Sequence, residues 1–328
     1  DKRGRDKGIL ALLRLIRKIR GRHFDLVINF HRNERASAIA AFSGGKHIVG
    51  YSQPGFKRFF NKVMPNRAMA DTPKELAEHQ VVCHLEVLRE VAGCKIMDDR
   101  GLEMWLPEEE EKKAAALWKA EFTSKDRVIA FNIGASWLTK RWIDTYFAAC
   151  ADRFIRKGYD VAFFGGPTDV PIVEKCLAYM KEKESPRIHV FTGKVSLTVL
   201  AGLLRRCSLF LTTDSGPMHV GVAMHVPVIS MFGASPVPTF YPYDSRDIAI
   251  KSPEYCHPCG LHECPRKGEG YMGCMKHIPV DIVMKYAEEL LSVYHGEPAF
   301  RLPADTGSHQ CRVINHWEGA QNGYETSI

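Results

Sequence analysis

Residues 208–238 read SLFLTTDSGPMHVGVAMHVPVISMFGASPVP, and the fold follows from how this stretch is parsed. An apolar run over 209–213 breaks at Asp214-Ser215-Gly216, a helical stretch over 217–224 follows, and a second apolar run over 226–232 ends in Gly233-Ala234-Ser235-Pro236. Strand, polar turn, helix, strand is the pattern of a parallel βαβ unit. Both polar loops leave the C-terminal ends of strands, where open parallel sheets bind ligands. Ser215 and Gly216 stand where the helix begins, so unpaired amides and the helix dipole together suit a phosphate. Pro217 fits the first turn, where its missing N–H costs nothing. Asp214 and His219 flank the turn with a carboxylate and a titratable ring. The plainer reading is that Asp214 caps the helix and His219 is an ordinary helix residue.

The same alternation extends upstream. Strands are expected at 127–132, 159–164, 188–191, 209–213 and 226–232, with helices at about 143–157, 169–183, 196–206 and 217–225. Five strands alternating with four helices argue for an α/β, doubly wound, Rossmann-like domain. The loops after these strands are GASWLTKRW, GGPTD, TGKVS, TDSGPMH and GASPVP. All leave strand C-termini and should gather at one rim, bringing Ser136, Lys140, Arg141, Asp169, Asp214 and His219 to one crevice. Gly-bearing loops converging with a lysine are what a nucleotide diphosphate requires.

The first half is poorer in strands. Residues 25–30 and 46–51 read as strands, 34–42 as a helix, and 52–72 as a basic, irregular stretch. A helix is expected over 73–91, capped by Asp71-Thr72 and ended by Gly93. Two strands do not make a covered parallel sheet, so further strands of this domain are expected upstream of residue 1. Residue 1 is Asp and no secretory leader precedes the first helix, so the chain reads as trimmed at its start. A boundary is expected near the run Pro107-Glu108-Glu109-Glu110-Glu111. The division is then an incomplete amino-terminal domain (1–106), a second domain (107–295) closed by a helix over 280–294, and a mobile tail (296–328).

Composition excludes other classes. At 328 residues, 45% hydrophobic and 25% charged, the chain is an ordinary globular α/β protein without an apolar run long enough to span a membrane. The net charge of +7 is unevenly placed, with nine Lys or Arg among the first 22 residues. Ile9, Leu12, Leu13, Ile16 and Ile19 keep helical spacing while Arg14, Arg17, Lys18 and Arg20 take other faces. This is either a core-packed helix with a solvated basic face or an amphipathic helix suited to an anionic lipid surface. No motif or aromatic-basic platform supports a nucleic-acid partner.

Several blocks carry a family resemblance: FDLVINFHRNERAS with IVGYS, then NIGASWLTKRW, FFGGPTD, the long VSLTVLAGLLRRCSLFLTTDSGPMHVGVAMHVPVISMFGASP, and CHPCGLHECPRKGEGYMGCMKHI. The chain resembles glycosyltransferase family 9, the ADP-heptose:lipopolysaccharide heptosyltransferases, over roughly residues 24–290. The resemblance implies a glycosyltransferase-B architecture, two Rossmann-like domains facing across a cleft, the first of them truncated here. It implies inverting transfer from an ADP-sugar without a catalytic metal or other required cofactor. Lys140 matches the lysine that reaches the phosphates and Ser136 the hydroxyl residue before it. Asp214, Ser215, Gly216 and His219 match the donor-site block, Val195 an apolar position near the adenine, and Asp169 an acidic position near the ribose. Lys140 and Asp214 are the candidate catalytic residues.

The implied acceptor is phosphorylated lipid A with its inner core, and Arg35 and His31 are the acceptor candidates, with Arg32, Lys57 and Arg58 behind them. The implied location is the cytoplasmic face of the inner membrane of a Gram-negative bacterium, held peripherally. The family's amino-terminal Gly-Asp loop, the usual source of the base, has no counterpart before Ile9. A related transferase with another nucleotide sugar or acceptor, and a donor-binding module without turnover, therefore stay open.

Ten cysteines are present. Cys83, Cys94, Cys150, Cys176 and Cys207 sit in apolar stretches as small buried residues, and Cys311 stands apart in the tail. Cys256, Cys259, Cys264 and Cys274 form C-x2-C-x4-C-x9-C in a Pro/Gly-rich segment, where they could hold a structural zinc, with His257 or His262 as substitutes, form disulfides, which a reducing cytosol disfavours, or remain free thiols.

Overall fold

The computed structural model describes residues 8–65, 67, 77–93, 101–123, 127–302, 309–316 and 324–326. The chain divides into two compact units, Asp1–Asp99 and Arg100–Ile328.

The first unit opens with helix α1 (Ile9–Arg20), followed by strand β1 (Leu26–Asn29), helix α2 (Glu34–Ala41) and strand β2 (His47–Gly50). A 3-10 turn, Pro54–Phe59, leads into a third strand, β3 (Lys62–Val63). The sheet runs β1-β2-β3, with both pairings parallel. The stretch expected to be irregular thus contributes a strand. With only two residues it is too short to show alternation, and its register comes from pairing with Val49 and Gly50. Helix α3 spans Gln80–Ala92. The residues expected to cap it, Asp71 and Thr72, lie outside the described residues; His79 caps it instead, its Nδ1 accepting from the Val81 N–H at 3.2 Å. Gly93 ends α3 at φ 63°, a left-handed conformation that glycine adopts without strain. No residue of α1 is fully buried: Ile9 and Leu10 are 71% and 75% exposed, while Leu12, Ile16 and Ile19 are partly buried.

The second unit begins with α4 (Glu108–Glu121), whose four first-turn glutamates complement the helix dipole. Then come β4 (Val128–Asn132), α5 (Asp144–Arg156), β5 (Asp160–Phe164), α6 (Val170–Tyr179), β6 (Ile188–Val190), α7 (Leu197–Leu204), β7 (Leu209–Thr213), α8 (Gly216–Ala223) and β8 (Val228–Phe232). A short α9 (Val237–Phe240), β9 (Ile248–Lys251), α10 (Gly273–Lys276), α11 (Val280–Val293), β10 (Arg312–Asn315) and β11 (Tyr324–Thr326) complete it. The sheet order is β11-β10-β9-β8-β7-β4-β5-β6, parallel throughout except for β11 against β10.

All residues of β4, β5, β7 and β8 are buried. That explains their unbroken apolar runs: a parallel sheet covered on both faces has no polar side to alternate with. On one face Phe131 stacks on Phe163, centroids 5.2 Å apart, and Trp142, Phe147 and Phe154 pack with them. Each such ring contributes on the order of 1.5–3 kcal/mol by leaving water. Trp142 is fully buried and its indole N–H donates to the Ile278 carbonyl at 2.9 Å, tying the loop after β4 to the start of α11.

The tail expected to be mobile is partly built into this sheet. Residues of β10 pair with β9, and Val313 and Ile314 are buried. The apolar pair in RVIN covers the edge that β9 would otherwise expose. No described helix is long and apolar enough to cross a membrane.

Candidate functional site

Three adjacent central strands, β4, β7 and β8, deliver the loops that make the site. The loop after β4 carries Ser136 and a 3-10 turn, Leu138–Lys140. Lys140 Nζ lies 2.7 Å from Asp214 Oδ2 at the end of β7, and the Lys140 ammonium also sits 4.5 Å from the Trp137 ring centre and 5.6 Å from that of Phe240. Two aromatic faces and a carboxylate therefore fix one cation. Ser235, in the loop after β8, donates its hydroxyl to the same Asp214 oxygen in a very short hydrogen bond. Asp214 is buried and bound from two sides, so it orients Lys140 rather than capping α8.

Ser215 is the N-cap residue of α8, yet its side chain makes no capping hydrogen bond. Its Oγ lies 3.2 Å from Asn132 Nδ2, and the same amide nitrogen reaches the Gly134 carbonyl at 3.1 Å. Pro217 has no N–H and the Met218 N–H is taken by the Ser215 carbonyl at 3.1 Å, so the N–H groups left to face a ligand at this end of α8 are those of Ser215 and Gly216. His219, one turn along, is held neutral: burial drives its imidazole pKa below the usual histidine value, the Asp214 carboxylate pulls it up, and Lys140 adds to the lowering.

Asp169 accepts from the Gly166 N–H at 2.8 Å and presses its carboxyl onto Gly134, where any side chain would collide with it. Asp169 thus joins the loop of Ser136 and Lys140. Ser136 itself is exposed at the bend of that loop. Arg141 turns back on its own loop, its Nε donating to the Ala135 carbonyl at 2.9 Å. Val195 is partly buried in the loop between β6 and α7.

The profile of glycosyltransferase family 9 (heptosyltransferase) matches residues 12–269, well over half of the sequence. The chain belongs to glycosyltransferase family 9. Lipooligosaccharide heptosyltransferase 2 of Campylobacter jejuni is 28% identical over 172 residues, 52% of each protein. Lipopolysaccharide heptosyltransferase 3 of Escherichia coli K12 is 24% identical over 294 residues, covering 86% of this chain and 79% of the relative. The Campylobacter match spans about half the length of that relative. Among solved structures, a glycosyl transferase family 9 protein from Veillonella parvula superposes with a TM-score of 0.72 at 30% identity, over 89% of this chain and 81% of the other. The Escherichia coli ADP-heptose lipopolysaccharide heptosyltransferase II shares the fold, at 21% identity and a TM-score of 0.62 over 87% and 81% of the two chains.

The Cys-rich segment of this family 9 chain lies against the site. Gly260 N–H donates to the Ala234 carbonyl at 2.8 Å, Thr139 Oγ1 donates to the Leu261 carbonyl, and the His262 ring stacks on Trp137 with centroids 4.1 Å apart. Of the four thiols, Cys264 accepts from the Met272 N–H at 3.4 Å. Burial, and then the neighbouring Cys256, Cys259 and Cys264, push the Cys274 thiol up to about 12. Among the described residues no group of three or more His, Cys, Asp or Glu side chains is placed to hold a metal ion. What the segment does here is brace the loops of Lys140 and Ser235. Cys83, Cys150, Cys176, Cys207 and Cys311 are buried, and Cys94 lies outside the described residues.

In the first unit His31 and Arg35 sit at and just after the C-terminal end of β1, where Asn33 caps α2 by accepting from the Ala36 N–H at 2.7 Å. Lys57 and Arg58 are exposed on the turn before β3. Sequence reasoning missed Asn132 and Ser235. Asn132 is the polar residue that ends an apolar strand, and Ser235 lay in a loop already noted, but neither pairing is visible without the sheet order.

Proposed function

We propose that this chain is an inverting glycosyltransferase that moves heptose from ADP-heptose to the phosphorylated inner core of lipopolysaccharide at the cytoplasmic face of the inner membrane. One observation carries the donor assignment: the Lys140 ammonium, held by Asp214, Trp137 and Phe240, stands beside the open amide end of α8. Displacement at an anomeric carbon builds negative charge on the departing ADP, and fixed donors around the diphosphate favour the transition state over the ground state. Lys140 retains ammonium protons beyond the one given to Asp214, and Ser215 and Gly216 add N–H donors; this set acts without a divalent ion. Asp169 and Val195 are assigned to the ribose and adenine. Arg35 and His31 are assigned to the acceptor phosphates.

The test is transfer from ADP-heptose to a heptose-deficient core acceptor, run with and without EDTA and with UDP-sugars as competing donors. Product formed from the ADP-sugar in both buffers supports the reading. No turnover together with no ADP binding by calorimetry sinks it.

A further inference from the structure

We propose that Asn132 is a positioning residue that aims the Ser215 hydroxyl at the donor diphosphate. The inference rests on the donor site proposed above. Serine at a helix N-cap ordinarily turns its oxygen toward the first-turn amides. Ser215 does not: its Oγ instead lies 3.2 Å from Asn132 Nδ2. The polarity of that contact is fixed by geometry, because the same nitrogen faces the Gly134 carbonyl at 3.1 Å, which can only accept. Asn132 therefore spends both amide protons inward, one on Gly134 and one on Ser215. A hydroxyl that accepts from one neighbour keeps its own proton for another group. Among the described residues that proton has no acceptor, so it can serve a group at the mouth of α8, beside the Asp214 that holds the Lys140 ammonium.

A second observation marks Asn132 as more than packing. It is 1% exposed, and its Oδ1 has no hydrogen-bond partner among the described residues. Its two donor bonds, to Gly134 and to Ser215, are therefore what fix the orientation of the amide. Thr213 secures the other side of the same turn, its Oγ1 lying 3.4 Å from the Gly134 carbonyl. The loops after β4 and β7 are thus joined through Gly134, and the amide of Asn132 decides which way Ser215 points.

The experiment is calorimetric binding of ADP and of adenosine to wild type, Asn132→Ala, Ser215→Ala and the double variant, with melting temperatures recorded for each. Asn132→Leu, which keeps the volume and removes the amide, serves if the alanine variant does not fold. Asn132→Ala is expected to weaken ADP about ten- to a hundred-and-fiftyfold, the range for one hydrogen bond to a charged group. Adenosine, which has no phosphate, should bind as in wild type. The double variant should be no weaker than Ser215→Ala alone, because one residue acts through the other. Wild-type affinity for ADP in Asn132→Ala, equal weakening of adenosine, or fully additive losses in the double variant overturns the inference. Failure of the wild-type protein to bind ADP overturns the donor-site reading itself and is seen before any variant is compared.

Discussion

Lys140 is held in place before any phosphate arrives, by a carboxylate at 2.7 Å and by two rings. Truncating such a preorganised donor removes stabilisation that matters most as the leaving group develops charge. Lys140→Ala should lower turnover by about ten- to a thousandfold in steady-state transfer assays, with a smaller effect on KM. His219 makes a different prediction, about pH. Its folded pKa is depressed, so below about 6.5 the unfolded chain binds a proton that the folded site resists. Stability conferred by the neutral ring is then complete above the unfolded value and is lost as pH falls from there toward the folded one. Urea titrations of wild type should show this loss, and His219→Gln should flatten it; an unchanged slope would contradict the assignment. At this scale the sequence showed Lys140, Asp214 and His219 because polar residues interrupt an apolar pattern there. Asn132 and Ser235 were hidden because a polar residue at a strand end or in a Gly-Ala-Ser-Pro loop is common, and only strand adjacency gives it a partner.

Among the elements, the strands buried on both faces were the legible ones. The cores of β4, β5, β7 and β8 coincide with the apolar runs, and α5, α6, α7 and α8 fill the gaps between them. The strands β3, β9, β10 and β11 are not legible in the sequence, since each has four residues or fewer and lies outside the regular strand-helix alternation of residues 127–232. The start of α3 was misplaced because His79, which is not a common cap, does the capping. Helix α1 carries its own test. Ile9, Leu10 and Leu13 are 55% or more exposed, and Arg14, Arg17, Lys18 and Arg20 are exposed alongside them. We expect the protein to sediment with vesicles containing anionic lipid and to be released as salt rises past about 0.15 M. Replacing Leu10 and Leu13 by Ser should abolish that association while leaving donor affinity intact, and equal binding to neutral vesicles would refute the electrostatic part.

For the molecule as a whole, a ligand that binds only the folded state stabilises it by mass action. ADP at about a hundred times its Kd should add about 2.7 kcal/mol to the second unit, seen as a raised melting temperature that adenosine reproduces only in proportion to its weaker affinity. Lys140→Ala should blunt the shift. The α/β class and its parallel order could be read from alternating runs, since such patterns follow from local burial. The finished sheet order could not, because β8, β7 and β4 become neighbours only through crossovers that leave no trace in spacing.

That order has a consequence for synthesis on the ribosome. Asn132 and Ser215 are 83 positions apart, and Asp214 and Ser235 another 21. A growing chain that has already emitted Lys140 must wait for nearly a hundred further residues before the ammonium finds its carboxylate and the carboxylate its serine. Nucleotide recognition is therefore acquired late and all at once, and a protein cut before position 235 should be blind to ADP however well its earlier helices have formed.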